Sequence, residues 1–335
     1  MARWIISWIL LLSASPFVGC NSDTGNKNAA KPPATADQKL RIAVVPKGTT
    51  HIFWKSVHAG AEKAAEELGN VEIIWKAQLH EDDTEGQINV VESFIVQRVD
   101  GIVLAPLDRQ GLVKVVRKAK EAGIPTVIFD SALDDAENTL SYVATDNYNG
   151  GVLGARTLAE QLGGKGNVIL LRYRPGSEST EQREQGFIET IKKEFPGIHE
   201  IAAGQYAGTT PESALDKTLE LLNQHGDKVN GMFAVCEPVA TGALAGLKQE
   251  GLAGKVKLIG FDPSPGMVQA LVDGNMDGIV LQDPVNMGYE GVKTMVNHLR
   301  GKEIQKRVNT GEAIATRENM KTAKIDDLLH PAQAD

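Results

Sequence analysis

Short runs of apolar, mostly β-branched residues alternate with amphipathic stretches along the first part of the chain. The amphipathic stretches have helical spacing and predict helices. The apolar runs do not alternate with polar residues, which is typical of strands buried on both faces of a parallel sheet. Strands are predicted at 41–45, 71–75, 101–105 and 125–129, and helices at about 53–68, 84–97 and 110–121.

The same order repeats further along the chain. Strands are predicted at 167–171, 199–203, 231–235 and 256–260, and helices at about 180–194, 211–224 and 239–249. The two series also match in detail, because an aspartate follows the fourth strand of each, Asp130 and Asp262. The repetition predicts an α/β protein with two doubly wound parallel-sheet lobes. A length of 335 residues also favours two cores over one.

The order of the elements predicts how the chain divides between the lobes. Lobe 1 is expected to comprise residues 40–145 and 283–311, and lobe 2 residues 146–282 and 312–335. Within the last part, a strand at 279–282 is followed by a helix at 285–299 that returns to lobe 1.

Three passages of the chain between the lobes, near Thr145, Gln282 and Gly311, are expected to form a hinge. Ligands bind beyond the carboxyl ends of the strands in such sheets. Asp130 and Asp262 are therefore expected to line a cleft between the lobes, where small-molecule sites are common.

Composition and charge exclude several classes of protein. Apolar residues make up 42% of the chain and aromatic residues 5%, which is ordinary for a globular protein. The formal charge is -8, so no basic field exists to neutralise phosphates. Nucleic acid and an anionic membrane surface are not expected as partners.

The sequence gives little indication of an enzyme. The sequence contains no Walker A, His-Glu-x-x-His, Gly-x-Ser-x-Gly or Cys-x-x-Cys motif. Asp130 and Asp262 could imitate the two carboxylates of a glycosidase, but hinged lobes would not hold them at a constant separation. No catalysis, cofactor or metal is expected.

The N-terminus predicts export. Arg3 precedes an apolar run at 4–12 and then small residues, as in a signal peptide over residues 1–19. The sequence Phe17-Val18-Gly19-Cys20 resembles a bacterial lipobox, in which the cysteine becomes the lipidated first residue. The alternative is cleavage after Ser15, with Cys20 unmodified. A flexible tether is expected over 20–39, and the protein is expected in the periplasm or at the cell surface, held to the membrane through lipidated Cys20.

With these residues placed, the body over about 40–317 resembles the ribose-type, or type I, periplasmic binding proteins of bacterial ABC importers. It is also similar to the ligand cores of the lactose-repressor family, but an export signal stands where a repressor carries its DNA-binding helices. The resemblance is carried by Phe53-Trp54-Lys55-Ser56-Val57, the run at 100–106, Ile124-Pro125-Thr126-Val127, Thr145-Asp146-Asn147 with Gly150-Gly151, Arg183 before Gly186-Phe187, Gly260-Phe261-Asp262, and Gln282.

The resemblance implies a sugar site. Phe53 and Trp54 would supply aromatic faces, and hydrogen bonds to hydroxyl groups would come from Asp130, Arg183, Asp262 and Gln282. Phe53 and Trp54 could instead be packing residues, the two aspartates could cap a turn or a helix, and Arg183 could be a solvated helix charge.

Four further candidates lie at strand ends. Lys47 and His51 follow the first strand, and Cys236 and Glu237 follow a strand of the second series. Members of the family commonly have Arg at the position of Ser131 and Asn at that of Cys236, so the sequence argues against ribose itself. Lys47 and His51 are expected to replace the lost donors.

The function expected is that of an exported, monomeric solute-binding lipoprotein. It would capture a small polar ligand, in the first place a monosaccharide, by hinged closure and present it to an ABC permease. Two alternatives stay open: a sensor that presents itself to a chemoreceptor or sensor kinase, and a binder of a nucleoside, cyclitol or autoinducer.

Overall fold

The computed structural model describes residues 1, 33–49, 51–78 and 80–334. The predicted signal peptide, the lipidation site Cys20 and most of the predicted tether lie outside the described residues.

Two six-stranded sheets form the centres of two α/β lobes within the described part of the chain. The strands are β1 (Leu40–Val45), β2 (Val71–Trp75), β3 (Gly101–Leu104), β4 (Thr126–Phe129), β5 (Tyr142–Ala144), β6 (Lys165–Leu171), β7 (Gly197–Glu200), β8 (Gly231–Ala234), β9 (Lys257–Phe261), β10 (Gly278–Gln282), β11 (Arg307–Asn309) and β12 (Glu312–Ala315).

Helices cover both faces of each sheet. They are α1 (Ile52–Leu68), α2 (Thr84–Gln97), α3 (Val113–Glu121), α4 (Asn147–Gln161), α5 (Glu178–Glu194), α6 (Pro211–His225), α7 (Glu237–Gln249), α8 (Pro265–Asp273), α9 (Pro284–Leu299) and α10 (Ala323–Leu329). Two short 3-10 turns lie at Ala136–Asn138 and Gly226–Lys228.

The two sheets share one strand order. The first runs β11-β5-β4-β3-β1-β2 and the second β12-β10-β9-β8-β6-β7, so β4 in one corresponds to β9 in the other. All the strand pairs are parallel except β10 with β12, which is antiparallel. The predicted fold class, two parallel-sheet α/β lobes, is confirmed.

The chain passes between the sheets three times, after β5, after β10 and between β11 and β12. The passages exchange helices, because α4 follows β5 but packs on the second sheet, and α9 follows β10 but packs on the first. Two of the passages are bonded together, since the Thr145 hydroxyl donates to the Gly311 carbonyl at 3.0 Å.

Glycines allow the exchanged helices to pack closely. A Cβ at Gly60 of α1 would overlap the Val285 carbonyl of α9, and one at Gly288 would overlap the Val57 carbonyl. The same contact recurs between α4 and α5, where a Cβ at Gly151 would overlap the Arg183 carbonyl. The helix that carries Arg183 is therefore pressed against the helix that begins at the lobe crossing.

Several elements were not predicted. Strands β5, β11 and β12 are only three or four residues long, and α4 is rich in glycine, so their patterns are weak.

Both ends of the described body also differ from the expected division. Ala34 donates its amide to the Leu299 carbonyl at 2.8 Å, so the end of the predicted tether is held on lobe 1. Ala334 donates to the Lys55 carbonyl at 3.0 Å, so the last described residue reaches lobe 1, whereas the sequence predicts it in lobe 2.

Candidate functional site

A cavity of about 420 Å³, its mouth included, lies between the carboxyl ends of the two sheets. It is lined by Lys47, His51, Phe53, Trp54, Glu81, Asp130, Tyr173, Ser177, Ser179, Thr180, Arg183, Cys236, Glu237, Pro238, Asp262 and Gln282. The structure thus brings all ten of the sequence-predicted site residues to one cavity.

Lys47 joins the two lobes at one end of the cavity. Its ammonium lies 2.7 Å from Asp130 Oδ2 and donates to Ser131 Oγ at 2.9 Å, both in lobe 1. It also donates to Ser179 Oγ of lobe 2 at 3.1 Å. The lysine therefore supplies a cation next to Ser131, the position at which the resemblance implies an arginine.

Arg183 is held rigidly at the back of the cavity. Its guanidinium donates to Asn147 Oδ1 and to the Val235 carbonyl, each at 2.9 Å, and stacks 3.7 Å from the centre of the Phe261 ring. One nitrogen lies 3.8 Å from Asp262 Oδ2. This arginine is buried and held by two hydrogen bonds, which excludes the alternative of a solvated helix charge.

Asp262 is buried beside that guanidinium and accepts a hydrogen bond from Gln282 Nε2 at 2.9 Å. Burial raises the pKa of Asp262 to about 6, although Arg183 and the Gln282 bond act in the opposite direction. The carboxyl is therefore close to its protonation midpoint in mild acid.

Aromatic side chains form one wall. Phe53 and Trp54 meet edge to face with ring centres 4.8 Å apart. The Trp54 indole donates to Glu81 Oε1 at 2.6 Å, and the Tyr173 hydroxyl, from lobe 2, donates to Glu81 Oε2 at 2.6 Å. Burial, and then the neighbouring Glu81, raise the pKa of Tyr173 well above its usual value, so its hydroxyl stays a donor.

His51 lies between carboxylates of opposite lobes. Its Nδ1 is 3.2 Å from Glu237 Oε2 in lobe 2, and its Nε2 is 3.3 Å from Glu81 Oε1 in lobe 1. Burial alone lowers the pKa of His51, but the bond to Glu237 and the charges of Glu81, Glu237 and Asp262 outweigh it, so the pKa is raised. Only the imidazolium can donate from both nitrogens.

Cys236 and Glu237 enter the cavity at the start of α7. Burial raises the pKa of the Cys236 thiol well above its usual value, so the thiol stays neutral. Glu237 accepts a hydrogen bond from Thr241 at 2.9 Å and occupies the first turn of the helix, where the dipole favours a carboxylate.

The lobes are also joined outside the cavity, so the conformation is closed. The Ala132 amide of lobe 1 donates to Glu178 Oε2 of lobe 2 at 2.9 Å, and the Arg109 amide donates to the Gly176 carbonyl at 3.0 Å. The Arg174 guanidinium reaches the Glu81 carbonyl at 3.0 Å.

Sequence reasoning missed six lining residues. They are Glu81, Tyr173, Ser177, Ser179, Thr180 and Pro238. Glu81 and Tyr173 follow β2 and β6, so the rule that ligands lie beyond strand ends would have included them. Their pairing across the lobes had no signal in the sequence.

Neither a metal-binding cluster nor a membrane-spanning helix is found among the described residues. No three histidine, cysteine, aspartate or glutamate side chains among them are grouped so as to hold a metal ion. None of the helices formed by these residues has the length and apolar character needed to cross a membrane.

Comparison with known proteins identifies the family. Residues 42–303 match the periplasmic binding protein domain. The chain is 28% identical over 311 residues to the ribose import binding protein RbsB of Bacillus subtilis, which covers 91% of this chain and 96% of that protein.

Solved structures of similar proteins support the same family. A carbohydrate transporter solute binding protein from Agrobacterium radiobacter, in complex with D-arabinose, has a TM-score of 0.83 at 32% identity and covers 87% of this chain and 99% of its own. An ABC transporter solute binding protein from Agrobacterium vitis, with bound D-fucose, has a TM-score of 0.83 at 33% identity and covers 87% and 100%. Because the matched domain spans most of the chain, the protein belongs to the periplasmic binding protein family, whose members bind solutes for transport and are not enzymes.

Proposed function

We propose that the protein captures a hydroxyl-rich solute, a monosaccharide, by closing its two lobes over it, and presents it to the permease of an ABC importer. The observation that carries this proposal is the make-up of the cavity, in which charged hydrogen-bonding groups from both lobes lie beside an aromatic wall. A sugar ring has apolar C–H faces that suit aromatic rings and a polar edge that suits carboxylate and guanidinium partners.

The solute would enter an open cleft and leave unaltered. A ligand shifts the equilibrium between open and closed forms only by binding one of them more tightly. Here the contacts of both lobes are available to it only when the cleft is closed, so solute binding favours closure. The residues proposed to contact the solute are Lys47, His51, Phe53, Trp54, Asp130, Arg183, Cys236, Glu237, Asp262 and Gln282.

The relatives support the class of solute. One is named for ribose import, and the two Agrobacterium structures hold D-arabinose and D-fucose. The resemblance implies an arginine at the position of Ser131, which follows β4. In this chain the cation beside Ser131 is Lys47, which follows β1, so we propose a sugar other than ribose. A donor in a different place selects a different arrangement of hydroxyl groups.

Calorimetric titration with a panel of pentoses and hexoses tests this function. The native protein should bind at least one sugar with a dissociation constant of about 1 μM, near -8 kcal/mol. Asp130→Asn and Arg183→Ala should weaken that binding by about tenfold or more, because each removes a charged hydrogen-bond partner. Arg156→Ala, on an exposed pair with Glu194, is the matched control and should bind like the native protein.

One outcome would reject the site and another would reject the function. One is undiminished binding by Asp130→Asn and Arg183→Ala, with both shown by circular dichroism to be folded. The other is turnover of a glycoside, which would make the protein an enzyme.

Membership of the family places the protein outside the cytoplasm. We further propose that it is held to a membrane through lipidated Cys20 and that it acts as a monomer. Labelling of cells with a radioactive fatty acid should mark the native chain and spare Cys20→Ser. Light scattering of the detergent-free Cys20→Ser protein should give the mass of one chain.

A further inference from the structure

The cavity carries more negative than positive charge. Its four carboxylates are Glu81, Asp130, Glu237 and Asp262, and its two permanent cations are Lys47 and Arg183. Lys47 pairs with Asp130, and Arg183 lies beside Asp262. Glu81 and Glu237 are therefore left without a permanent cation among the groups that line the cavity.

His51 offsets part of this excess. It contacts both Glu81 and Glu237, and its raised pKa favours the imidazolium. One positive charge still faces two carboxylates. Burying an uncompensated charge is costly, so a site of this make-up favours a ligand that brings a further positive charge.

The approach to the cavity is acidic as well. A second, open pocket shares His51, Glu81 and Glu237 with the inner cavity and is also lined by Asp82 and Glu212. Its remaining lining residues are Ile52, His80, Thr209, Thr210 and Pro211. Four carboxylates and two histidines line this pocket, and an excess of negative charge concentrates cationic ligands.

Buried acceptors at the inner cavity also lack partners. Gln282 and Ser177 line it with 2% and 1% of their surfaces exposed. Neither Gln282 Oε1 nor Ser177 Oγ has a hydrogen-bond partner among the described residues. A buried polar atom is normally paired, so these oxygens point to a ligand with several N–H or O–H donors.

Aromatic rings lie next to Glu81, one of the two carboxylates that contact His51. Trp54 and Tyr173 both donate to Glu81, and Phe53 packs on Trp54. The faces of such rings attract cations. Carboxylates with adjoining aromatic rings make a suitable site for an ammonium group.

We propose that the solute is an amine-bearing sugar or cyclitol, whose ammonium group lies between Glu81 and Glu237 where the inner cavity meets the outer pocket. This inference rests on the function proposed above and deepens it. The hydroxyl groups of the solute occupy the inner cavity with Asp130, Arg183 and Gln282, and the ammonium group completes the charge balance between the lobes.

The test is calorimetry with matched ligand sets at pH 6.5 and low salt. Each set contains a neutral sugar or cyclitol, its amino-deoxy derivative and the N-acetylated form, for example D-glucose, D-glucosamine and N-acetyl-D-glucosamine. In at least one set the amino member should bind tenfold or more tightly than both neutral members. Raising the salt concentration should weaken its binding selectively.

Variants of the two carboxylates test where the ammonium group of the ligand lies. Glu237→Gln and Glu81→Gln should each reduce the preference for the amino member by about tenfold, since each removes one of the two carboxylates. Glu66→Gln, on the exposed face of α1, makes the same change in net charge and should leave the preference unaltered.

The failures can be told apart. Neutral members that bind as tightly as their amino derivatives would overturn this inference and leave the proposed sugar binding in place. An amine preference that survives in both Glu81→Gln and Glu237→Gln would overturn the placement of the ammonium. Absence of binding by every member of every set would overturn both proposals.

Discussion

Asp130 and Asp262 adopt the same left-handed backbone conformation, with φ of 61° and 62°, at equivalent points of the two sheets. Each follows the strand at the third position of its sheet, β4 or β9, and each lines the same cavity. Such φ values are uncommon outside glycine. The matched turns direct both carboxylates into the space between the lobes.

Replacement of either aspartate by alanine or by glycine removes the carboxylate in both cases. A difference in stability between the two variants therefore reports on backbone strain. Asp262→Ala should be less stable than Asp262→Gly by about 1 kcal/mol, because an L side chain with a Cβ is disfavoured in the left-handed region and glycine is not. The same order is expected for Asp130. Urea unfolding provides the measurement.

The exposed helix residue Glu66 is the control for this pair of substitutions. There the order should reverse, with the alanine variant more stable than the glycine variant by about 1 kcal/mol. Equal stability of Asp262→Ala and Asp262→Gly would show that the turn imposes no such strain.

The buried carboxyl of Asp262 should make stability depend on pH. Its pKa is about 6 in the folded protein against a usual value of 3.8, so the folded state holds this proton more tightly than the unfolded state. Between about pH 4 and 6 the unfolded state binds fewer protons, and stability falls as pH rises. A difference of about two pKa units corresponds to about 3 kcal/mol.

Asp262→Asn removes this titration with little change in size. The native protein's stability relative to the variant should therefore decline from pH 4 to pH 7, as measured by urea unfolding at each pH. A constant difference across that range would contradict a raised pKa at Asp262.

His51 should contribute stability in acid. Its pKa is raised in the folded protein by Glu237, Glu81 and Asp262, against the effect of burial. The contribution is fully present below the unfolded pKa of about 6.5 and is lost as pH rises through the higher folded pKa. The native protein should exceed His51→Gln in stability at pH 5.5 by more than it does at pH 8.5.

An NMR titration of the His51 ring protons in the native protein should give a midpoint above 6.5. A midpoint below that value would mean that burial, rather than the carboxylates, dominates.

A contact between the lobes outside the cavity should influence the affinity for the ligand. Glu178 does not line the cavity, but it accepts a hydrogen bond from the Ala132 amide of the opposite lobe. Glu178→Ala removes a contact made only in the closed form. The apparent dissociation constant should rise severalfold, in proportion to the loss of the closed population.

Glu189→Ala removes an acceptor on the same helix that pairs within lobe 2, with Tyr148, and serves as the control. Small-angle scattering should show a larger radius of gyration for ligand-free Glu178→Ala than for ligand-free Glu189→Ala. Equal affinities for the two variants would show that this contact has no part in closure.

Much of the architecture follows from local patterns. Continuous apolar runs separated by amphipathic helices predicted both parallel sheets, and the aspartates after β4 and β9 predicted where the cleft lies. These features can be predicted from the sequence because a strand that is buried on both faces consists of a nearly continuous run of apolar residues. The ten site residues predicted from strand ends and from the family resemblance all line the cavity.

Other features were decided by the tertiary structure. The sequence alone determined that Lys47 and His51 follow the first strand, but their partners Ser179 and Glu237 belong to the other lobe. Likewise, nothing near Glu81 in the sequence indicated the bond from Tyr173. Contacts of this kind depend on how the two lobes rotate about the hinge, and no local pattern of apolar and polar residues records that geometry.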